Sequence, residues 1–260
     1  MTVTAEHIRR ARQGYFANIS YVDDKIGEVL AALEASRQEA VIVFLFDHGE
    51  MLGRKGLWFK MNFFEGAARV PLMIAAPGLV PHLEQTAVST IDVTATLCDL
   101  AGISLDEIAP WTDGESLLAL ARGQARTSPV VMEYAAEGSI SPMVALRQGA
   151  WKYIRCAADP DMLFDLATDP DEEQNLASDP RAAEILAHFQ LMADERWDLA
   201  AYDDEVRQSQ ARRWVVYEAL RNGSYYPWDY QPLRAASERY MRNHMDLNVL
   251  EESRRFPRGE

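Results

Sequence analysis

The chain has 260 residues, 48% of them apolar, which suits one or two domains with real cores and excludes disorder or collagen-like repeats. Twenty-six Lys and Arg against 40 Asp and Glu leave a formal charge of −14, a field that repels nucleic acid and anionic membrane, so small molecules or proteins are the expected partners. Cys98 and Cys156 lack C-x-x-C spacing, which indicates neither a disulfide framework nor a zinc cluster and fits a reducing cytoplasm; no export signal is visible and no apolar stretch reaches the roughly 20 residues that span a bilayer.

Residues 5–36 show helical spacing, with Ile8, Ile19, Val22, Ile26, Val29, Leu30 and Leu33 on one stripe. Asp23 and Asp24 lie mid-helix beside Lys25 and read as a solvated face rather than metal ligands. Residues 41–46 are six apolar positions without alternation, the pattern of a parallel-sheet strand covered on both faces. Asp47-His48-Gly49 follows, and a second apolar run, 70–76, is closed by Pro77-Gly78. Thr90 or Asp92 can cap a helix through Val93, Leu97 and Leu100 that stops at Gly102. Strands alternating with helices over this part predict an α/β architecture. Four short segments, 130–134, 143–147, 151–156 and 162–166, are separated by Gly, Pro and Asp turns and read as a small antiparallel sheet. Residues 169–173 read as a solvated turn that initiates helix, and helices are expected over 181–199 and 204–221.

The charge is unevenly spread. Residues 201–260 hold ten Arg and ten acidic residues, so the whole excess of acid lies in residues 1–200. The last sixty residues therefore read as a separate piece. Their density of Tyr and Trp, interspersed with Arg, suits either a contact surface or a tail stapled to its own domain. The expected organisation is residues 1–125 as α/β core, 126–200 as the small sheet, and 201–260 as a C-terminal extension.

In open α/β sheets ligands bind beyond the carboxyl ends of strands, where Asp47 and His48 stand. A hard oxygen and a nitrogen donor side by side suit a divalent cation, although a histidine at a strand end can equally be hydrogen-bonded structure. The longer string is more informative. It runs Asp47-His48-Gly49-Glu50-Met51-Leu52-Gly53, then Gly56-Leu57-Trp58-Phe59-Lys60-Met61-Asn62-Phe63-Phe64-Glu65-Gly66, then Arg69-Val70-Pro71. This resembles the sulfatase branch of the alkaline-phosphatase superfamily. Leu163-Phe164-Asp165-Leu166, Asp169-Pro170 and Asn175-Leu176-Ala177 are similar to the C-terminal sheet of those enzymes and its exit. Arg196-Trp197-Asp198, Ser209-Gln210-Ala211-Arg212-Arg213 and Trp228-Asp229-Tyr230-Gln231-Pro232 resemble the C-terminal extension of choline-sulfatases.

The resemblance implies a sulfuric ester hydrolase that cleaves choline O-sulfate, a small-molecule sulfate ester. It implies that Asp47 and His48 are metal ligands, usually for calcium, with magnesium or manganese as alternatives. It implies that Lys60 contacts the sulfate as a catalytic charge stabiliser, that His48 reaches the same anion, and that Lys55 is a further candidate. A compact ammonium neutralises charge as the S–O bond breaks, which fits Lys60. Choline needs a carboxylate counter-ion and aromatic faces. Glu137 is the first candidate for that carboxylate and Asp246 in the tail the second.

One departure stands out. Sulfatases attack sulfur with formylglycine made from Cys or Ser in a C-x-P-x-R motif. That motif is absent, Cys98 being followed by Asp99-Leu100-Ala101 and Cys156 by Ala157-Ala158-Asp159. The expectation is the C-terminal half of such an enzyme, with a missing N-terminal half as possible partner, apolar faces left exposed, and homo-oligomerisation through the tail. An aryl sulfate or phosphonate monoester hydrolase, or a catalytically silent oligomerisation fragment, remain as rival readings.

Overall fold

The computed structural model describes residues 4–136 and 138–222. The chain divides into two compact units, Met1–Ala200 and Ala201–Glu260.

Helix α1, Ala5–Ser36, opens the first unit, and the Thr4 hydroxyl and His7 ring form a reciprocal cap at its start. None of its residues is buried, and Ile19, Val22, Val29 and Leu30 of the apolar stripe are exposed. Asp23 and Asp24 are exposed as well, and Lys25 pairs with Glu28 at 2.6 Å.

Strand β1, Ile42–Leu45, comes next, and then the short helix α2, Glu65–Ala68, leads into β2, Leu72–Ala75. β1 and β2 pair antiparallel in register Ile42↔Ala75 to Leu45↔Leu72, forming a two-stranded sheet. This corrects the expectation of a parallel strand covered on both faces. An apolar run without alternation reports how much surface a strand must bury, not the direction of its partner. Leu45, Phe46 and Met73 are exposed.

Helices α3, Asp92–Ala101, α4, Leu105–Ile108, and α5, Leu117–Ala121, follow. Gly102 closes α3 at φ 68°, the left-handed conformation that glycine adopts without strain. Asp92 is the first residue of α3 rather than its cap and is fully buried. Its carboxylate accepts from Ser89 N–H, Glu115 N–H and, at 2.5 Å, the Arg126 guanidinium.

The chain then forms an antiparallel meander of β3, Val130–Tyr134, β4, Met143–Gln148, β5, Trp151–Cys156, and β6, Asp159–Asp165, in sequential order. Its two faces are covered differently. Leu146, Tyr153 and Leu163 pack on Phe189 and Ala193 of helix α6, Ala183–Arg196. Ala145, Ile154 and Phe164 pack on Phe63, with Phe64 alongside. The segment between β1 and β2 thus rests on one face of the small sheet.

The turn at 169–173 departs from the solvated reading, because Glu172 is buried and the next helical residues begin only at Pro180. Helix α7, Leu199–Arg221, follows, with the Trp214 and Tyr217 rings 5.1 Å apart. Both cysteines are free, and among the described residues no helix is long and apolar enough to cross a membrane.

Candidate functional site

The site is built where β1 ends. Phe46 and Asp47 leave the strand, and the chain then turns sharply at Gly49, whose N–H donates to Ala67 O at 2.8 Å. A Cβ at Gly49 would lie 2.2 Å from the Gly66 carbonyl oxygen, so only glycine admits this approach. The loop beyond folds back on itself. Met51, almost fully buried, donates its N–H to Phe59 O at 2.9 Å, Gly53 N–H donates to Leu57 O at 2.8 Å, and Phe59 N–H donates to the Glu50 carboxylate. These bonds return Lys60 to the end of β1.

Three side chains converge there. His48 Nδ1 lies 2.9 Å from Gly49 O, so Nδ1 carries the proton and Nε2 presents its lone pair. Lys60 Nζ is 2.9 Å from that Nε2, and Asp47 Oδ2 is 3.4 Å from it. The Asp47 side chain is 84% exposed, so its carboxylate is open to an incoming cation. The structure therefore brings together Asp47, His48 and Lys60, three of the residues singled out in the sequence. Lys55 points elsewhere, its ammonium donating to Glu172 O and lying 4.9 Å from the Phe64 ring centroid. Glu137 and Asp246 lie outside the described residues.

The donor set fits a divalent cation in part. Carboxylate oxygen and imidazole nitrogen are suitable ligand types, although the Nε2 lone pair is engaged by Lys60 here, and a hard cation such as calcium takes about six to eight ligands. Among the described residues no group of three or more His, Cys, Asp or Glu is placed to hold a metal, and Asp47 and His48 are two potential donors.

Beneath this surface lies a charged cluster that the sequence reading did not single out. Lys152 of β5 is buried, with its ammonium 2.6 Å from Glu65 and 2.7 Å from Glu172. Its signal in the sequence is slight: one lysine inside the apolar run Trp151-Lys152-Tyr153-Ile154, two residues before the buried Ile154.

Family models match along the chain. The family model described as sulfatase matches residues 2–103, and that described as N-sulphoglucosamine sulphohydrolase, C-terminal, matches residues 53–197. A third, choline sulfatase enzyme C terminal, matches residues 204–256. The choline-sulfatase of Rhizobium meliloti (strain 1021) is 61% identical over 263 residues, covering 99% of this chain and 51% of that enzyme. Arylsulfatase K of Mus musculus is 33% identical over 190 residues, 64% of this chain and 34% of that protein. The phosphonate monoester hydrolase of Silicibacter pomeroyi superposes with a TM-score of 0.64 at 30% identity, covering 74% of this chain and 42% of that one. The chain spans about half the length of the choline-sulfatase and a third of the arylsulfatase. With matched sulfatase segments running from residue 2 to residue 197 and an alkaline-phosphatase-type fold around them, the chain belongs to the sulfatase family.

Proposed function

We propose that this chain carries the sulfate-binding lysine and two metal ligands of a sulfuric ester hydrolase of choline-sulfatase type, which converts choline O-sulfate and water to choline and sulfate. The observation that carries the reading is the convergence of Lys60, His48 and Asp47 at the end of β1, in a chain 61% identical to a choline-sulfatase.

The chemistry follows from the side chains. Lys60 Nζ now shares a proton with the His48 Nε2 lone pair, so an arriving sulfate oxygen can take over one of its N–H donors. Charge that develops on the leaving or terminal oxygen is then met by a cation already in place. Asp47 and His48 would hold part of the divalent metal, calcium in the first instance and magnesium or manganese as alternatives. A metal there supplies Lewis-acid polarisation of the sulfate. The Nδ1–H to Gly49 O bond fixes the tautomer in which His48 can serve as ligand. Neither Cys98 nor Cys156 opens a C-x-P-x-R motif, so the formylglycine nucleophile is assigned to an N-terminal half that completes the enzyme.

In this reading residues 1–125 belong to the α/β core, 126–200 to the small sheet and 201–260 to an extension through which subunits assemble. The enzyme works in the cytoplasm. Glu137, with Asp246 as second carboxylate, serves the trimethylammonium group, a cation with no N–H to donate that is held by charge and aromatic faces.

The test is to co-express the chain with an N-terminal half bearing C-x-P-x-R and to assay choline release from choline O-sulfate. Turnover by the pair and none by this chain alone is expected. Turnover of 4-nitrophenyl sulfate or a phosphonate monoester without choline release refutes the choline assignment and favours the rival hydrolases.

A further inference from the structure

Successive residues of β5 face opposite sides of the small sheet. Tyr153 faces α6, whereas Ile154 joins the core under Phe63, and Lys152 shares that second face. The Lys152 side chain is 1% exposed. Its ammonium donates to Phe63 O at 2.8 Å and to Glu172 Oε1 at 2.7 Å, and it forms an ion pair with Glu65 Oε1 at 2.6 Å. Glu172 uses its other oxygen as well, Oε2 accepting from Glu65 N–H at 2.7 Å, while its backbone carbonyl accepts from Lys55. To reach these partners Glu172 adopts φ 56°, a left-handed conformation uncommon for a residue other than glycine.

Together Lys152 and Glu172 grip the segment 55–65 at Lys55, Phe63 and Glu65. Lys60 lies inside that span, exposed, with its ammonium on His48. A buried charge cluster is a poor way to gain stability, since well-packed apolar side chains of similar volume often do as well, but it specifies geometry where the buried cation is paired and hydrogen-bonded.

We propose that Lys152 and Glu172 are positioning residues of the sulfate site, which through Phe63, Glu65 and Lys55 set the path of the 55–65 segment and so hold the Lys60 ammonium beside His48. The proposal rests on Lys60 being the sulfate-binding lysine. It adds that the small sheet, far along the sequence, determines where that lysine stands.

Two measurements test it. Hydrogen exchange on the 260-residue chain compares the parent with Lys152→Met, which keeps the bulk and removes the charge, and with Lys152→Arg and Glu172→Gln. In Lys152→Met and Glu172→Gln the Met51, Gly53 and Glu65 amides should exchange at least tenfold faster while β4 and β5 amides stay within threefold of the parent, and Lys152→Arg should recover most of the protection. A rise spread equally over β4, β5 and the loop, or no rise in the loop, overturns the proposal. In the enzyme completed by its N-terminal half, Lys152→Met should lower kcat at least tenfold with KM changed less than threefold. Lys60→Ala combined with Lys152→Met should then be no slower than Lys60→Ala alone, because Lys152 acts only through Lys60. Multiplying losses refute the positioning role. Choline O-sulfate and 4-nitrophenyl sulfate are both assayed, so an error in the substrate shows as the absence of choline release, and exchange decides the positioning role even if neither ester turns over.

Discussion

Gly49→Ala tests how the site is built. The added methyl would sit 2.2 Å from Gly66 O, whereas ordinary van der Waals contact begins near 3.4 Å, so one backbone must withdraw by about 1.2 Å. Gly49 N–H then loses Ala67 O, now 2.8 Å away. Overpacking costs about 1–3 kcal/mol and an orphaned, half-buried N–H about 1 kcal/mol, so a loss of about 2–4 kcal/mol is expected. Gly14→Ala is the internal control. It lies in α1 with nothing within 4 Å of a built Cβ, and alanine there should add about 0.5–1 kcal/mol by removing backbone entropy from the helix. Urea unfolding followed by circular dichroism reads both. Opposite signs are expected; a Gly49→Ala chain within about 0.5 kcal/mol of the parent would falsify the close-approach argument.

Four further outcomes follow from the same geometry. Burial, reinforced by a 2.6 Å hydrogen bond to Asp161, pushes the Tyr153 phenol well above its usual range. Because the folded group holds its proton more tightly than the unfolded one, its contribution is intact below about pH 10 and is lost as pH rises above that. Ultraviolet titration should show one tyrosine ionising only as the protein unfolds, and its titration with the exposed tyrosines would contradict this. Lys60→Ala in the completed enzyme should lower kcat about 10²-fold or more, and a change within threefold would remove Lys60 from the chemistry. Asp47→Ala should abolish tight divalent-metal binding measured by calorimetry, because the remaining donor here is neutral; unchanged metal content would make Asp47 structural. Glu137→Gln should raise KM for choline O-sulfate and leave 4-nitrophenyl sulfate nearly unaffected, and equal effects on both would assign Glu137 to the fold.

Local signals carried much of the architecture. Residues 5–36 and the stop at Gly102 were legible because caps and helical spacing are short-range properties, and the four segments of the small sheet because turns and apolar runs bound them. Less legible was what depends on distant partners. The run at 41–46 declared a strand, but neither its antiparallel pairing with β2 nor the exposure of Val41, Leu45 and Phe46 could be read from it. Glu172 sits among Asp169, Asp171 and Glu173 and looks solvated in sequence; only Lys152, twenty residues earlier, makes its burial possible. In the site, Asp47 and His48 are adjacent in the chain and easy to pair. That Lys60 returns to the same imidazole, while Lys55 turns to Glu172, rests on the fold of the loop between them.

The order β3-β4-β5-β6 followed by α6 has a kinetic meaning. Every strand pairs with its neighbour in sequence, and Phe189 and Ala193 close over Tyr153 and Leu163 within a single stretch of chain. Pairings of this kind close small loops, so their entropy loss is recovered early and little search is needed. α1 and β1–β2, with exposed apolar faces, draw little stability from within this chain. The meander and its helix should therefore form first and unfold last, a template already standing when the segment that bears Lys60 settles on its second face.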